Sequence, residues 1–354
     1  MNRITYGLDV AKRVFQMHWV EPDTGKVCNR RFSRAQLVEF LSQSAPAQVA
    51  LEACGSGHFW ARKLKALGHE AVLLHAKFIR PFVQNNKTDA TDARAMWTAV
   101  QQPGMRTVAV KTEDQQAVLG LHRMRSQLLK FRTAQINQLR GLLYEYGITI
   151  KGGRRAGLAD IRARSAELEG LVPTFLWEAV NEQLARLKTL DQEMRSIEQR
   201  IKRWQQQHEG ARAIADIPGV GLLTSTALVA TMGDPQTFRS GREFAAFLGL
   251  VPRQRGTGGH IQLGHISKRG DMYLRGLLIH GARSVLVNVK EQSAWVEGLA
   301  RRRPHNVAVV ALANKIARTA WAMLSHGQMY QRDHPVQVII RFERREPSGG
   351  CGGR

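Results

Sequence analysis

Ile4-Thr-Tyr-Gly-Leu-Asp-Val-Ala-Lys-Arg-Val-Phe-Gln-Met-His-Trp-Val20 is the stretch from which the fold is read. Residues 4–8 form an apolar run that closes on a carboxylate, Asp9, and residues 14–20 alternate apolar and polar side chains as a half-buried strand does. Glu21-Pro-Asp-Thr-Gly25 has the chemistry of a turn, and a short strand is expected over residues 27–32. Ser33 is placed to cap a helix running to about residue 44, with Leu37, Phe40 and Leu41 on one face. Residues 48–51 read as a buried strand ending at Glu52, residues 57–67 as a helix, and residues 70–74 as a further strand. The order β-β-β-α-β-α-β predicts an α/β layer fold over residues 1–110.

The period then changes. From about residue 113, Leu119, Met124, Leu128, Phe131, Ile136, Leu139 and Leu143 keep three-to-four spacing with no proline. Lys151-Gly-Gly-Arg-Arg155 interrupts the pattern. It resumes with Leu184, Leu187, Leu190, Met194, Ile197, Ile201 and Trp204 in near-heptad order. Residues 111–209 therefore read as a helical hairpin or coiled-coil arm used for assembly. Residues 103–165 hold twelve Lys/Arg and four Asp/Glu, whereas 166–209 hold six and eight. That contrast suggests a phosphate-facing first arm and Arg-rich loop (Arg154, Arg155), and a protein-facing second arm. A mostly α-helical domain is expected over 210–335, and a tail over 336–354 whose end, Pro347-Ser-Gly-Gly-Cys-Gly-Gly-Arg354, is too glycine-rich to fold.

Charge names the class of partner. Across 354 residues, 52 Lys and Arg face 29 Asp and Glu, a formal net charge of +23. A pI near 10.8 implies many contacts to nucleic-acid phosphates. No stretch approaches the roughly 18 to 20 apolar residues of a membrane span, and the N-terminus lacks the apolar run of a secretory signal. The expected location is the bacterial cytoplasm, in association with the nucleoid. Cys28, Cys54 and Cys351 are odd in number and far apart, which argues against a disulfide framework or a CxxC zinc site. Cys54 and His58, four apart, lack the two further ligands that zinc requires.

In so basic a chain, four acids stand out. Asp9 and Glu52 end apolar strands, with Gly7 permitting close backbone approach near the first and Gly55-Ser-Gly57 following the second. Asp89 and Asp92 lie in Asn85-Asn-Lys-Thr-Asp-Ala-Thr-Asp-Ala-Arg94, and their i,i+3 spacing puts both on one face of a first helical turn. Alone, this pair reads as a capping arrangement and Asp9 as a solvated strand end. Together the four present the hard oxygen donors that Mg²⁺ prefers, suited to clamping a phosphodiester in displacement. Lys87 beside them either neutralises a phosphate or solvates the loop.

Gly7-Leu-Asp-Val-Ala-Lys12, Leu51-Glu-Ala53 with its glycine turn, and the segment around Asp89 and Asp92 resemble the DEDD transposases of bacterial insertion sequences. The resemblance implies a ribonuclease H-like, resolvase-like N-terminal domain with Asp9, Glu52, Asp89 and Asp92 as its metal-binding tetrad. It further implies Mg²⁺ as cofactor, donor and target DNA as substrates, and a bridge RNA that pairs with both. A tetramer built from dimers is also implied, with active sites combining domains of different protomers.

Two C-terminal motifs complete the reading. Ile214-Ala-Asp-Ile-Pro-Gly-Val-Gly221 is a tight turn opening a helix and resembles the hairpin of helix-hairpin-helix DNA binders. The amides near Gly219 and Gly221 then approach a phosphate, or the turn serves only for packing. Arg253-Gln-Arg-Gly-Thr-Gly-Gly-His260 reads as a flexible basic loop carrying Arg253 and Arg255. In Gly264-His-Ile-Ser-Lys-Arg-Gly-Asp-Met-Tyr-Leu-Arg275, Ser267 stands among Lys268, Arg269 and Arg275. By chemistry alone, this serine is an N-cap or a nucleophile. The same resemblance matches it to the serine that attacks a DNA phosphate. Arg275 and Lys268 are then candidates to stabilise the phosphorane, and His260 and His265 to act as base. Arg301-Arg-Arg-Pro-His305, with Arg302 and Arg303, is a phosphate-contacting loop or a solvated charge run.

The function expected is that of a transposase or recombinase exchanging DNA strands by phosphoryl transfer through a serine–DNA intermediate. A resolvase-like nuclease would need only the tetrad and water, and a nucleic-acid-binding scaffold only the charge.

Overall fold

The computed structural model describes residues 3–84, 88–258, 260–290 and 292–331. Its N-terminal part contains β1 (Thr5–Val10), β2 (Val14–Val20), β3 (Val27–Ser33), α1 (Arg34–Gln43), β4 (Gln48–Glu52), α2 (Gly57–Ala66) and β5 (Glu70–Leu74). Then come α3 (Ala76–Ile79), α4 (Asp89–Val100) and β6 (Thr107–Val108). The predicted strands and helices thus stand within about two residues of their expected ends, inside the ordinary fraying of element boundaries.

The six strands form one sheet in the order β3-β2-β1-β4-β5-β6. β1, β4 and β5 run parallel, while β2, β3 and β6 pair antiparallel to their neighbours. Side chains alternate across each strand. Leu8, Val49 and Leu51 therefore join Leu37, Leu41, Trp60 and Leu64 of α1 and α2 in one core. Ala50, Val72 and Leu74 point the other way, onto Ala95, Met96 and Ala99 of α4. Helices cover both faces, which is why residues 49–51 read as continuously apolar rather than alternating.

Gly7 lies where α4 crosses β1. A Cβ at this position would overlap the carbonyl oxygen of Ala93 and stand 2.7 Å from the Trp97 nitrogen. Both obstacles are backbone, so a methyl group there pushes the helix off the sheet. Gly7→Ala is expected to cost about 3 kcal/mol of stability, the upper end for overpacked cores. A chemical-denaturation midpoint indistinguishable from wild type would show that α4 has room to shift.

The arm consists of α5 (Glu113–Glu145) and α8 (Thr174–Gln207), joined through α6 (Arg154–Ala163) and α7 (Ser165–Leu171). Arg125 pairs with Glu198 at 2.6 Å and Arg132 with Asp191 at 2.7 Å. One number rises as the other falls, so the long helices run antiparallel, as the two apolar repeats predict. Two acids of the second arm are thus spent on arginines of the first, which qualifies the expected division into phosphate-facing and protein-facing arms. The Lys151–Arg155 stretch opens a short helix instead of a free loop, held by Arg140 donating to the carbonyls of Lys151 (2.9 Å) and Gly153 (2.7 Å).

The C-terminal part contains α9 (Glu209–Ala213), α10 (Leu222–Met232), α11 (Gly241–Phe247), β7 (Pro252–Thr257), β8 (His260–Ile266), α12 (Met272–Asn288), α13 (Ala294–Arg302) and α14 (His305–His326). Its core gathers Leu228, Phe244, Leu274, Leu278, Leu312, Ile316 and Ala320. Contrary to the sequence expectation, α14 is long and apolar enough to cross a bilayer. Its apolar side chains instead fill the centre of this core. The expected flexible basic loop is also different: β7 and β8 pair as antiparallel strands, Thr257 opposite His260. Buried His122 on α5 fastens the arm to this domain, with one ring nitrogen 2.9 Å from the Tyr273 hydroxyl and the other 3.0 Å from Thr226 Oγ1. Burial, with Arg125 nearby, pushes its pKa down to about 4, so it stays neutral in this role.

Candidate functional site

Three elements present the four acids. Asp9 lies on β1, Glu52 is the last residue of β4, and Asp89 and Asp92 occupy the first turn of α4. β1 and β4 are adjacent and parallel, so the two strand ends leave the sheet side by side. Gly7 lets α4 press onto β1, and Gly57 does the same for the turn after β4, where a Cβ would come 2.5 Å from the Glu52 carbonyl oxygen. The capping alternative for the helix pair is not what forms. Thr88 caps α4, its hydroxyl accepting from the Thr91 N–H at 3.2 Å in a capping box. Asp89 and Asp92 are left to add charge at the helix start.

Their proximity is electrostatic. Burial first, then the charges of Asp92, Asp89 and Glu52, push the Asp9 pKa up to about 6. Among the described residues, however, no three His, Cys, Asp or Glu side chains converge at metal-ligand distance. All four donors are carboxylate oxygens, and the repulsion stored at Asp9 is of the kind a divalent cation relieves, so the set fits such an ion.

Ser267 follows β8 in a loop shaped by two glycines. Gly270 (φ +103°) lies so close to Phe247 that a Cβ would overlap its carbonyl oxygen, and a Cβ on Gly249 (φ +73°) would overlap the carbonyl of Arg269. Lys268 adopts the left-handed conformation (φ +52°), rare for a residue with a side chain. The Ser267 N–H donates to the Val251 carbonyl at 2.8 Å. Among the described residues its hydroxyl accepts one bond, long at 3.4 Å, from the Arg269 N–H. It does not cap α12; Asp271 does, accepting from the Leu274 N–H at 3.0 Å.

The serine lines a groove of about 730 Å³ between the N-terminal sheet domain and the C-terminal domain. Arg253, Arg255 and Arg269 of the C-terminal domain line it, together with His75, Lys77, Arg106 and Lys111 from the N-terminal part and the start of the arm. The second group went unnoticed in the sequence. The available signal was position, since His75 immediately follows an apolar strand, as Asp9 and Glu52 end theirs. Lys111 is partly buried beside His58, its N–H donating to Nδ1 at 3.2 Å and its Nζ 3.3 Å from Nε2. Burial, Lys111 and Arg62 push His58 down to about 4. His58 is thus a neutral support for Lys111, in accord with the argument against zinc at Cys54.

Other expected contacts fall elsewhere. Arg275 is only 8% exposed and donates to the Leu248 carbonyl at 3.2 Å, so it braces the serine loop from beneath. Gly219 packs against α12, where a Cβ would come 2.8 Å from the Gly281 carbonyl oxygen, which favours the packing alternative for that turn; Gly221 is exposed at the start of α10. Arg154 pairs with Asp191 at 2.9 Å, while Arg155 is exposed. Arg301 reaches back to Glu297 at 3.5 Å and Arg302 to the Gly298 carbonyl at 2.8 Å, with Arg303 capping the same helix. Lys268 is exposed beside the serine, and His260 and His265 lie on β8. Lys87 and the 336–354 tail lie outside the described residues.

Comparison with known proteins adds a family context. Residues 6–148 match the IS110 transposase DEDD domain, and residues 211–295 match the domain described as Transposase IS116/IS110/IS902 family. A probable family 20 transposase of Pseudomonas aeruginosa is 45% identical, over 94% of this chain and 99% of that protein. The transposase of insertion sequence element IS1328 from Yersinia enterocolitica is 38% identical, over 94% and 99%. That of IS1111A from Coxiella burnetii is 38% identical, over 92% and 90%.

Proposed function

The chain belongs to the IS116/IS110/IS902 family of insertion-sequence transposases, and from that premise we propose that it exchanges DNA strands by metal-dependent phosphoryl transfer through Ser267. The observation that carries this reading is the carboxylate cluster around Asp9, whose pKa is raised first by burial and then by three other carboxylates, in a protein of net charge +23. The sheet order, with β1, β4 and β5 parallel and β2 reversed, supports a ribonuclease H-like reading of the domain that carries the cluster.

Asp9, Glu52, Asp89 and Asp92 would hold Mg²⁺. When bound, the ion would supply Lewis-acid polarisation of the phosphate. The chain's own residues do the rest. The Ser267 hydroxyl passes its proton to solvent water as its oxygen bonds to phosphorus. The bond from phosphorus to the departing sugar oxygen breaks, and that oxygen takes up a proton. Arg253, Arg255 and Arg269 bind the strand through its phosphates and offset the charge of the phosphorane. Conserving a phosphate ester on serine keeps the energy of the broken bond for rejoining to a second strand. A guide RNA and a tetramer complete the proposal, the basic surface being suited to a second nucleic acid.

The test uses the purified protein with a plasmid carrying its insertion sequence and the RNA transcribed from the flanking non-coding segment. Strand joining should require a divalent cation and stop in excess chelator. Joining that persists in chelator overturns the metal role, and joining unchanged without the RNA overturns the guide.

A further inference from the structure

The groove beside Ser267 is lined by none of the four acids, so it is not the place where the metal site and the serine would meet. Its walls carry seven Lys and Arg side chains against one carboxylate, Glu243. Glu243 is already engaged. One of its oxygens stands 3.5 Å from Arg106 Nε, and the other accepts the Arg239 N–H at 2.9 Å. What remains is an excess of cations of the kind that the phosphates of a nucleic acid balance.

Aromatic surface accompanies the charge. Phe78, Phe238 and Phe247 line the same groove. Phe238 and Phe247 pack against the C-terminal core. Phe78, on α3, is half-buried and joins none of the apolar clusters among the described residues. The Lys77 ammonium lies 4.7 Å from the centre of its ring, so cation and aromatic surface are presented together. A basic groove that tracks the backbone, with rings on which bases stack, is how single strands are held. Size agrees with this. About 730 Å³ falls within the roughly 300–1,000 Å³ of ligand clefts and suits a short run of one strand. A duplex, whose major groove alone is about 12 Å wide, has to lie across the mouth, and its bases, stacked on one another, offer Phe78 no face.

We propose that the groove is a single-stranded DNA site, in which Lys77 and Arg106 hold phosphates and Phe78 stacks on a base of the strand that Ser267 attacks. All three residues belong to the N-terminal part. The chain that supplies the serine therefore also grips its strand, whichever protomer supplies the metal. The identity of the strand rests on the phosphoryl-transfer reading above; the binding itself needs neither metal nor serine chemistry. A strand must be unpaired to enter, which restricts the serine to DNA already opened at the joint.

The test uses the full-length protein in chelator, so that binding is read without chemistry. The probes are a short oligodeoxythymidylate bearing iododeoxyuridine, and the same strand annealed to oligodeoxyadenylate. Affinity is followed by fluorescence anisotropy against salt, and ultraviolet cross-links are mapped by mass spectrometry. We expect the single strand to cross-link at Phe78 or its neighbours in the groove. Phe78→Ala should weaken single-strand binding about tenfold, within the range of one stacked base, and leave duplex binding unchanged. Phe78→Leu, which keeps apolar bulk without a ring, should behave as the alanine variant, and Phe78→Trp as wild type. Loss of stacking is thereby told apart from loss of fold. Lys77→Gln combined with Arg106→Gln should reduce the slope of log affinity on log salt by about 1.4, at roughly 0.7 per phosphate contact.

Cross-links outside the groove, equal single-strand affinity in all four Phe78 proteins, or a Leu variant that binds like the Trp variant overturns the proposal. So does oligouridylate that displaces the DNA from Phe78 more readily than unlabelled oligodeoxythymidylate does, which assigns the groove to RNA. The phosphoryl-transfer reading fails separately, by strand joining that survives Ser267→Ala or excess chelator, and its failure leaves these binding results standing.

Discussion

Replacing Ser267 by alanine is expected to abolish the proposed covalent attachment of DNA to the protein and to lower strand joining at least about 10³-fold, as loss of a nucleophile does elsewhere. The reasons lie in the loop. Removing the hydroxyl costs one long bond, from the Arg269 N–H at 3.4 Å. The loop's shape comes from Gly249, Gly270 and the Ser267 N–H, all of which the variant keeps. Folding should therefore be unchanged, and the loss can be assigned to chemistry. A serine hydroxyl is a weak nucleophile at its free pKa and needs a base or cationic surroundings. Arg269 and Arg253 supply the second. Adduct is scored on a denaturing gel with end-labelled DNA, and joining by amplification across the new junction. Undiminished joining by Ser267→Ala would mean that water or another group attacks, the behaviour of a nuclease.

Asp9→Asn is expected to separate stability from activity. The Asp9 pKa is raised in the folded protein to about 6 by burial and three neighbouring carboxylates. A carboxyl with a raised folded pKa binds its proton more tightly folded than unfolded. Its contribution to stability is present below its unfolded pKa and is lost as pH rises through about 6. Without divalent cation, the wild type should lose stability between the unfolded value and about 6, and Asp9→Asn should not. The variant should accordingly melt higher than wild type at pH 7.5 in chelator. With the cation the order reverses, because an amide is a poorer ligand than a carboxylate. Metal-dependent joining should fall by more than the roughly 10- to 100-fold that loss of an outer-shell partner costs. Cation binding by the wild type at pH 5.5 should also release a proton that the variant does not. Equal melting temperatures in chelator across this pH range would show that the four carboxylates do not interact as described.

These expectations draw on different levels of the molecule. Strand and helix positions in the first 110 residues were legible because apolar alternation and turn chemistry are local. Ser33 as a cap and residues 70–74 as a strand needed nothing beyond their neighbours. The antiparallel arm was legible for the same reason, through two apolar repeats separated by a glycine pair. The hairpin of β7 and β8 was missed because Arg253, Arg255 and Thr257 look like a solvated loop. Its strands are exposed on both faces and carry no burial pattern to read. Arg275 was read as a phosphate contact from charge alone. Only the fold shows that its guanidinium is turned inward, onto the Leu248 carbonyl.

The acids Asp9, Glu52, Asp89 and Asp92 and the serine loop were written in the sequence by itself, as unusual residues at the ends of periodic segments. So was the need for a phosphate-rich partner, since net charge is a sum that folding does not alter. Which of these residues share a space was decided by tertiary structure alone. Gly7 lets α4 press onto β1, which carries Asp9, and parallel pairing sets the ends of β1 and β4 side by side. The two domains then enclose Ser267, Lys77 and Arg269 in one groove. The physical reason is range. Periodicity and capping act over a few residues, whereas proximity across the 190 residues from Lys77 to Ser267 follows only from how sheet and helices pack.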